Sequence, residues 1–161
     1  MLFYKRRNDR AVKDVDIIKE IVSNCQVVRV AMCEDNIPYL VPLNYGYEFN
    51  DGELILYCHC SNKGKKLDIL DKNPNVFIEI DNEKDVIEGK TPCQYGFEYF
   101  SIMSSGKVEF IHNIYDKIHG LNKIMEHYTS KVNNEFKNEV LNKVFLLKIT
   151  CTDLTAKSCT R

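Results

Sequence analysis

No stretch of this 161-residue chain approaches the roughly 18 consecutive apolar residues of a membrane span. An excess of one charge is also missing. The formal net charge of −1 argues against nucleic acid as the main partner, because phosphate-backbone binding needs a net basic face. No apolar segment follows the charges of residues 1–7, so no export signal is expected and a cytoplasmic location is. There is no internal repeat, no low-complexity run and no clear linker, which leaves one domain over residues 1–161 with enough length for a real core.

Disulfide logic is missing as well. Seven cysteines, an odd number without an export signal, do not make a framework. Cys58-His59-Cys60 has the look of a metal cluster. In a strand, however, Cys58 and Cys60 face one way and His59 the other, so one tetrahedral zinc cannot easily collect all three. No C-x-x-C pair completes a site. No metal is expected, and the cysteines read as small buried hydrophobes.

What the chain does have is concentrated at residues 54–70. The apolar run 54–57 has the length of a buried strand. It leads into Ser61, Lys63, Gly64, Lys65 and Lys66, and then into a helical pattern with Leu67, Ile69 and Leu70. Strand, small basic turn and helix together can hold a phosphate, with backbone N–H groups and the helix dipole aimed at the anion. A solvated lysine turn is the other reading, and both stay open on these residues alone.

Around this segment the pattern is mostly strand. Residues 14–24 carry helical spacing, with Asp14 as N-cap. Strands are expected from Val27, from Tyr39, through Tyr45, Tyr47 and Phe49, at 54–57 and at 76–80. Asp35-Asn36 and Asp51-Gly52 mark the turns. Residues 82–94 read as a long loop or lid. Residues 99–103 and 107–111 read as strands around Gly106, either separate or one strand with a glycine bulge. Helices follow at 114–128 and 135–141, then a strand at 144–149. Short strands with three helices, outside a βαβ rhythm, predict a mainly β, α+β fold: an antiparallel barrel with helices outside.

Several segments resemble the pyridoxamine phosphate oxidase-like flavoproteins, and most closely their nitroimidazole-resistance branch. These are the basic opening Arg6-Arg7-Asn8-Asp9-Arg10, Ala31-Met32, and residues 38–47 with Val41-Pro42-Leu43-Asn44. They continue with Leu56-Tyr57-Cys58-His59 followed by Gly64-Lys65-Lys66-Leu67, then Tyr99-Phe100-Ser101-Ile102 with Gly106-Lys107-Val108-Glu109, and finally Met125-Glu126-His127-Tyr128. Their order and spacing cover nearly the whole chain.

The resemblance implies a Greek-key split β-barrel with peripheral helices. It also implies a homodimer with FMN in two clefts at the subunit interface. On that basis Val41, Pro42, Leu43, Asn44, Tyr57 and Cys58 wall or edge the flavin, and Ser61, Lys63, Lys65 and Lys66 take its phosphate. Phe100 and Ser101 come from the partner subunit. For Val41 to Leu43, plain core packing is the other reading. His59 matches the branch's histidine beside flavin and substrate, where it would give a proton or polarise an acceptor; a packed strand histidine is the alternative. His112, His119 and His127 read as surface or packing groups. The implied activity is an oxidoreductase that reduces a small acceptor, such as a nitroaromatic of the 5-nitroimidazole type. The end of the chain, residues 155–161, lacks the Arg-x-His-type segment of true pyridoxamine phosphate oxidases, so vitamin B6 oxidation is not expected. A flavin- or haem-binding module without turnover, with His59 as an axial ligand, is the alternative.

Overall fold

The computed structural model describes residues 7–129, 131 and 135–159; Arg6 of the basic opening lies outside them. The elements are β1 (Ala11–Val12), α1 (Val15–Asn24), β2 (Val28–Glu34), β3 (Ile37–Leu43), β4 (Gly46–Asn50), β5 (Glu53–Ser61), α2 (Lys65–Lys72), β6 (Asn75–Ile87), β7 (Gly96–Ile111), α3 (Ile114–Thr129), α4 (Asn138–Leu141), β8 (Val144–Cys151) and β9 (Thr155–Cys159).

Local chemistry explains most of the boundaries. The Asp14 carboxylate accepts the Asp16 N–H at 2.9 Å and caps α1. Asp35 and Asn36 both sit at positive φ (50° and 64°), as a two-residue hairpin turn between β2 and β3 requires. Asp51 and Gly52 do the same between β4 and β5, at φ 50° and 85°.

The strands form one antiparallel sheet in the order β3-β2-β6-β7-β8-β5-β4, with β9 pairing both β7 and β1. The sheet is curled but not closed, which makes this a split barrel with flanking helices. Its inner face buries Val28, Val30, Leu54, Leu56, Cys58, Ile78, Ile80 and Ile149. A second cluster, Ile55, Tyr57, Leu121, Ile124, Leu141 and Leu146, lies under α3 on the other face. β5 is therefore covered on both sides over residues 54–58, which is why it reads as an unbroken apolar run.

α3 lies unusually close to the sheet. A methyl group on Gly120 would come within 2.5 Å of Leu146 and 2.6 Å of Tyr57. One on Gly46 would meet the α3 backbone at Lys123 within 2.2 Å.

The expected loop or lid at 82–94 is corrected in its first half: β6 and β7 run on as a paired arm to Ile87 and Gly96, with a bulge between Glu83 and Val86, and a loop with a short 3-10 turn at Pro92–Gln94 joins them. A polar segment remains a strand there because its ladder hydrogen bonds are made by the partner strand, whatever the side chains. β7 is one continuous strand, and its register passes Gly106 without a bulge, Val76 and Cys151 lying opposite. Gly106 instead accommodates a close neighbour, Ile149, 3.0 Å from where a methyl would sit. β1 and β9 were not foreseen, because each is a short strand held only by pairing with a distant segment. The described cysteines, all seven, are free thiols.

Candidate functional site

The turn between β5 and α2 is open and basic. Gly64, at φ 140°, has no atom within 4 Å of where a side chain would begin. No side chain caps α2; the Leu67 N–H turns back to the Gly64 carbonyl at 2.9 Å, which leaves the N–H groups of Lys65 and Lys66 ahead of it. Among the described residues, Lys63, Lys65 and Lys66 make no ion pair; Asp68 is the one acid in the first turn of α2. The three lysines diverge. Lys65 rests over the Tyr39 ring of β3, 4.9 Å from its centroid. Lys66 is half-buried. Lys63 lines a cleft of about 580 Å³ with Asn62, Gly64, Phe110, His112 and Phe145. Ser61 ends β5 and is exposed, opposite Val144.

β5 presents the remaining predicted residues on its two faces. Cys58 is fully buried in the barrel core, backbone and side chain alike, and pairs with Leu147 of β8. Tyr57 faces α3. Its hydroxyl donates to Glu48 Oε1 at 2.6 Å, and His119 Nε2 meets Glu48 Oε2 at 3.0 Å. Burial alone would raise the Glu48 carboxyl, but these two contacts hold it below its ordinary value. His59 points to the same side as Tyr57, beyond the edge of α3, and is exposed, with Leu146 opposite on β8.

Val41 and Leu43 pack half-buried against the barrel core, while Pro42 faces out. Asn44 follows at the bend into β4. Its side-chain amide donates to the Gln26 carbonyl at 3.3 Å and to the Tyr128 hydroxyl at 3.2 Å. The same hydroxyl accepts the Tyr45 N–H at 3.3 Å and donates to the Gln26 carbonyl. The neighbouring His127 bridges Tyr45 O at 2.7 Å and Ser23 O at 3.2 Å. His119 and His127 are thus packing groups with defined partners.

Phe100 and Ser101 lie on β7. Phe100 carries Lys84 Nζ 4.3 Å above its ring. It lines a cavity of about 300 Å³ whose other walls come from the α1 region and β6, not from the basic turn. Ser101 pairs opposite Asp81 and Lys157. On the outward face of the same sheet, Pro42, Arg29, Glu79 and Met103 form one cross-strand row. Arg29 bonds Glu79 at 2.9 Å and also Asp81. Around these ion pairs the sheet exposes Leu40 (54%), Phe97 (59%) and Met103 (42%), an apolar surface that a lone protomer leaves in water.

Lys84 and the Arg29 cluster carry no sequence signal of their own, and Tyr128 entered only as part of the late segment that carries the resemblance. Among the described residues, no group of three or more metal-binding side chains gathers, and no helix is long and apolar enough to cross a membrane.

The geometry has counterparts in known proteins. A candidate 5-nitroimidazole antibiotic resistance protein from Bacteroides thetaiotaomicron is 31% identical, with a TM-score of 0.80 over 92% of this chain and 86% of that one. A flavocytochrome from Azotobacter vinelandii superposes with a TM-score of 0.79 at 15% identity, over 98% of this chain and 72% of that one. An FAD- and haem-binding protein from Mycobacterium smegmatis also reaches 0.79, at 16% identity, over 94% and 74%. These last two likenesses are of fold. An uncharacterised protein of Rhizobium meliloti (strain 1021) is 37% identical over 60 residues, 37% of this chain and 36% of that protein. The family model described as pyridoxamine 5'-phosphate oxidase matches residues 14–158, and with nearly the whole chain covered, this protein belongs to that family.

Proposed function

We propose that this protein is an FMN-binding homodimeric oxidoreductase that reduces a small acceptor, with nitroaromatics such as a 5-nitroimidazole as the substrate class. The observation that carries the flavin reading is the basic turn. Three lysines without ion pairs flank the uncapped, positive end of α2 on different sides, a setting that favours an anion. A flavin phosphate is such an anion. The open backbone at Gly64 leaves room for it, so the donor set fits.

Ser61, Lys63, Lys65 and Lys66 hold the phosphate. The strand from Val41 to Asn44 walls the ring, and Tyr57 and Cys58 belong to the buried strand β5 beneath the basic turn. Ser101, on the outward face of β7, and Phe100, turned to the inner face beside α1, serve the cleft of the partner subunit. When bound, the flavin supplies the electrons for reduction of the acceptor. His59, solvent-open at the end of β5, holds the proton that the acceptor takes up. The 31% identity to the candidate nitroimidazole resistance protein supports the acceptor class.

The test is an FMN titration of wild type against the Lys65→Ala, Lys66→Ala double variant. Each lost charged contact should cost on the order of 1.5–3 kcal/mol. Equal dissociation constants would remove these lysines from the site.

A further inference from the structure

We infer that Tyr128 is a positioning residue that fixes Asn44 as a one-way hydrogen-bond acceptor, and that Asn44 Oδ1 reads the imide N–H on the pyrimidine edge of the flavin. This rests on the flavin reading above and names the group on the ring that the site recognises.

The orientation of the Asn44 amide is forced by its partners. The Gln26 carbonyl 3.3 Å away can only accept, so the nitrogen of the amide faces it. The second proton of that nitrogen goes to Tyr128 Oη at 3.2 Å. Tyr128 can receive it because its own proton is committed to Gln26, and it takes the Tyr45 N–H as well. Both amide protons are therefore spent, and a flip would set oxygen against oxygen at Gln26. Asn44 Oδ1 has no partner among the described residues, and the side chain is exposed.

Asn44 directly follows Leu43 at the end of β3, the strand proposed to wall the ring. The pyrimidine edge of a flavin presents carbonyl, N–H, carbonyl. A fixed acceptor matches the N–H and opposes either carbonyl, so it sets the register of the ring along the strand. Tyr128 is the second anchor, beside the Gln26 carbonyl, that keeps the acceptor outward. It reaches this strand end from α3, 84 residues further along the chain.

The experiment compares dissociation constants of FMN and N3-methyl-FMN, which lacks the imide proton, by fluorescence quenching. Wild type should prefer FMN by about tenfold, the value of one satisfied hydrogen bond against an unsatisfied acceptor. Asn44→Ala, at an exposed position, should bring the ratio near unity. Tyr128→Phe keeps the bulk of Asn44 but leaves the Gln26 carbonyl as the one anchor of its amide, so the acceptor is held less firmly and the preference should fall to about threefold or less. A tenfold preference that survives Tyr128→Phe reports a steric clash with the methyl group and overturns the positioning role. Equal binding of both ligands by wild type overturns the inference while leaving the flavin reading intact. Failure of wild type to bind FMN at all overturns that reading itself.

Discussion

His59 and Cys58 are neighbours in sequence and opposites in structure: Cys58 is sealed in the barrel core, and His59 stands in solvent on the other face of β5. Substituting His59 should therefore cost the fold little. A His59→Asn variant is expected to keep its melting temperature and its flavin and to lose about 10²-fold in acceptor reduction. Stopped-flow oxidation of the reduced protein by a nitroaromatic, beside a melting curve, checks this. An unchanged oxidation rate would return His59 to a packing role.

The outward sheet face around Leu40 and Met103 should be the subunit interface. Wild type is expected to sediment as a dimer at micromolar concentration. Leu40→Asp with Met103→Asp places two carboxylates on that face, next to the carboxylates of Glu79 and Asp81, and should give monomers that remain folded and bind FMN weakly. A wild-type monomer that binds FMN tightly would sink the interface cleft.

The contact between Gly120 and Tyr57 is too close for any side chain on the helix. Gly120→Ala should destabilise the protein by about 1–3 kcal/mol even though alanine favours helices. The cause is the methyl group forced against Tyr57 and Leu146. A denaturant melt with unchanged slope and lower midpoint is the expected result, and a stabilised variant would show that α3 sits further from the sheet.

Glu48 links stability to pH. Its carboxyl lies below its ordinary value in the folded protein, because the bonds from Tyr57 and His119 outweigh burial. Its contribution is complete above the ordinary carboxylate range and is lost as pH falls through the lower folded value. Glu48→Gln should flatten the acid side of the stability curve relative to wild type. Parallel curves for the two proteins would remove Glu48 from that limb.

Much of this was readable in the residues themselves. Asp14, Asp35-Asn36 and Asp51-Gly52 are local signals that act wherever they stand, and the turns and cap follow them. The alternation of Cys58, His59 and Cys60 set which side chain would face out. Other features depend on contacts between distant segments. The polar residues at 82–87 carry no strand pattern, because the outer part of the β6–β7 arm is held by backbone pairing. β9 exists only by pairing with β7 and β1. Tyr128 gave no hint of holding Asn44, since nothing in a helix sequence names a partner 84 residues away. The divergence of Lys63, Lys65 and Lys66 was equally hidden, because a turn sequence lists charges without directions.

The central claim is that this fold holds a flavin. Incubating the purified protein with FMN, removing free ligand by gel filtration and recording the visible spectrum of the protein peak tests it most directly. The account predicts flavin bands that travel with the dimer, in amounts equimolar with the chain. A colourless protein with all the FMN in the late fraction, or a Soret band from a co-purified haem with no flavin uptake, would contradict it.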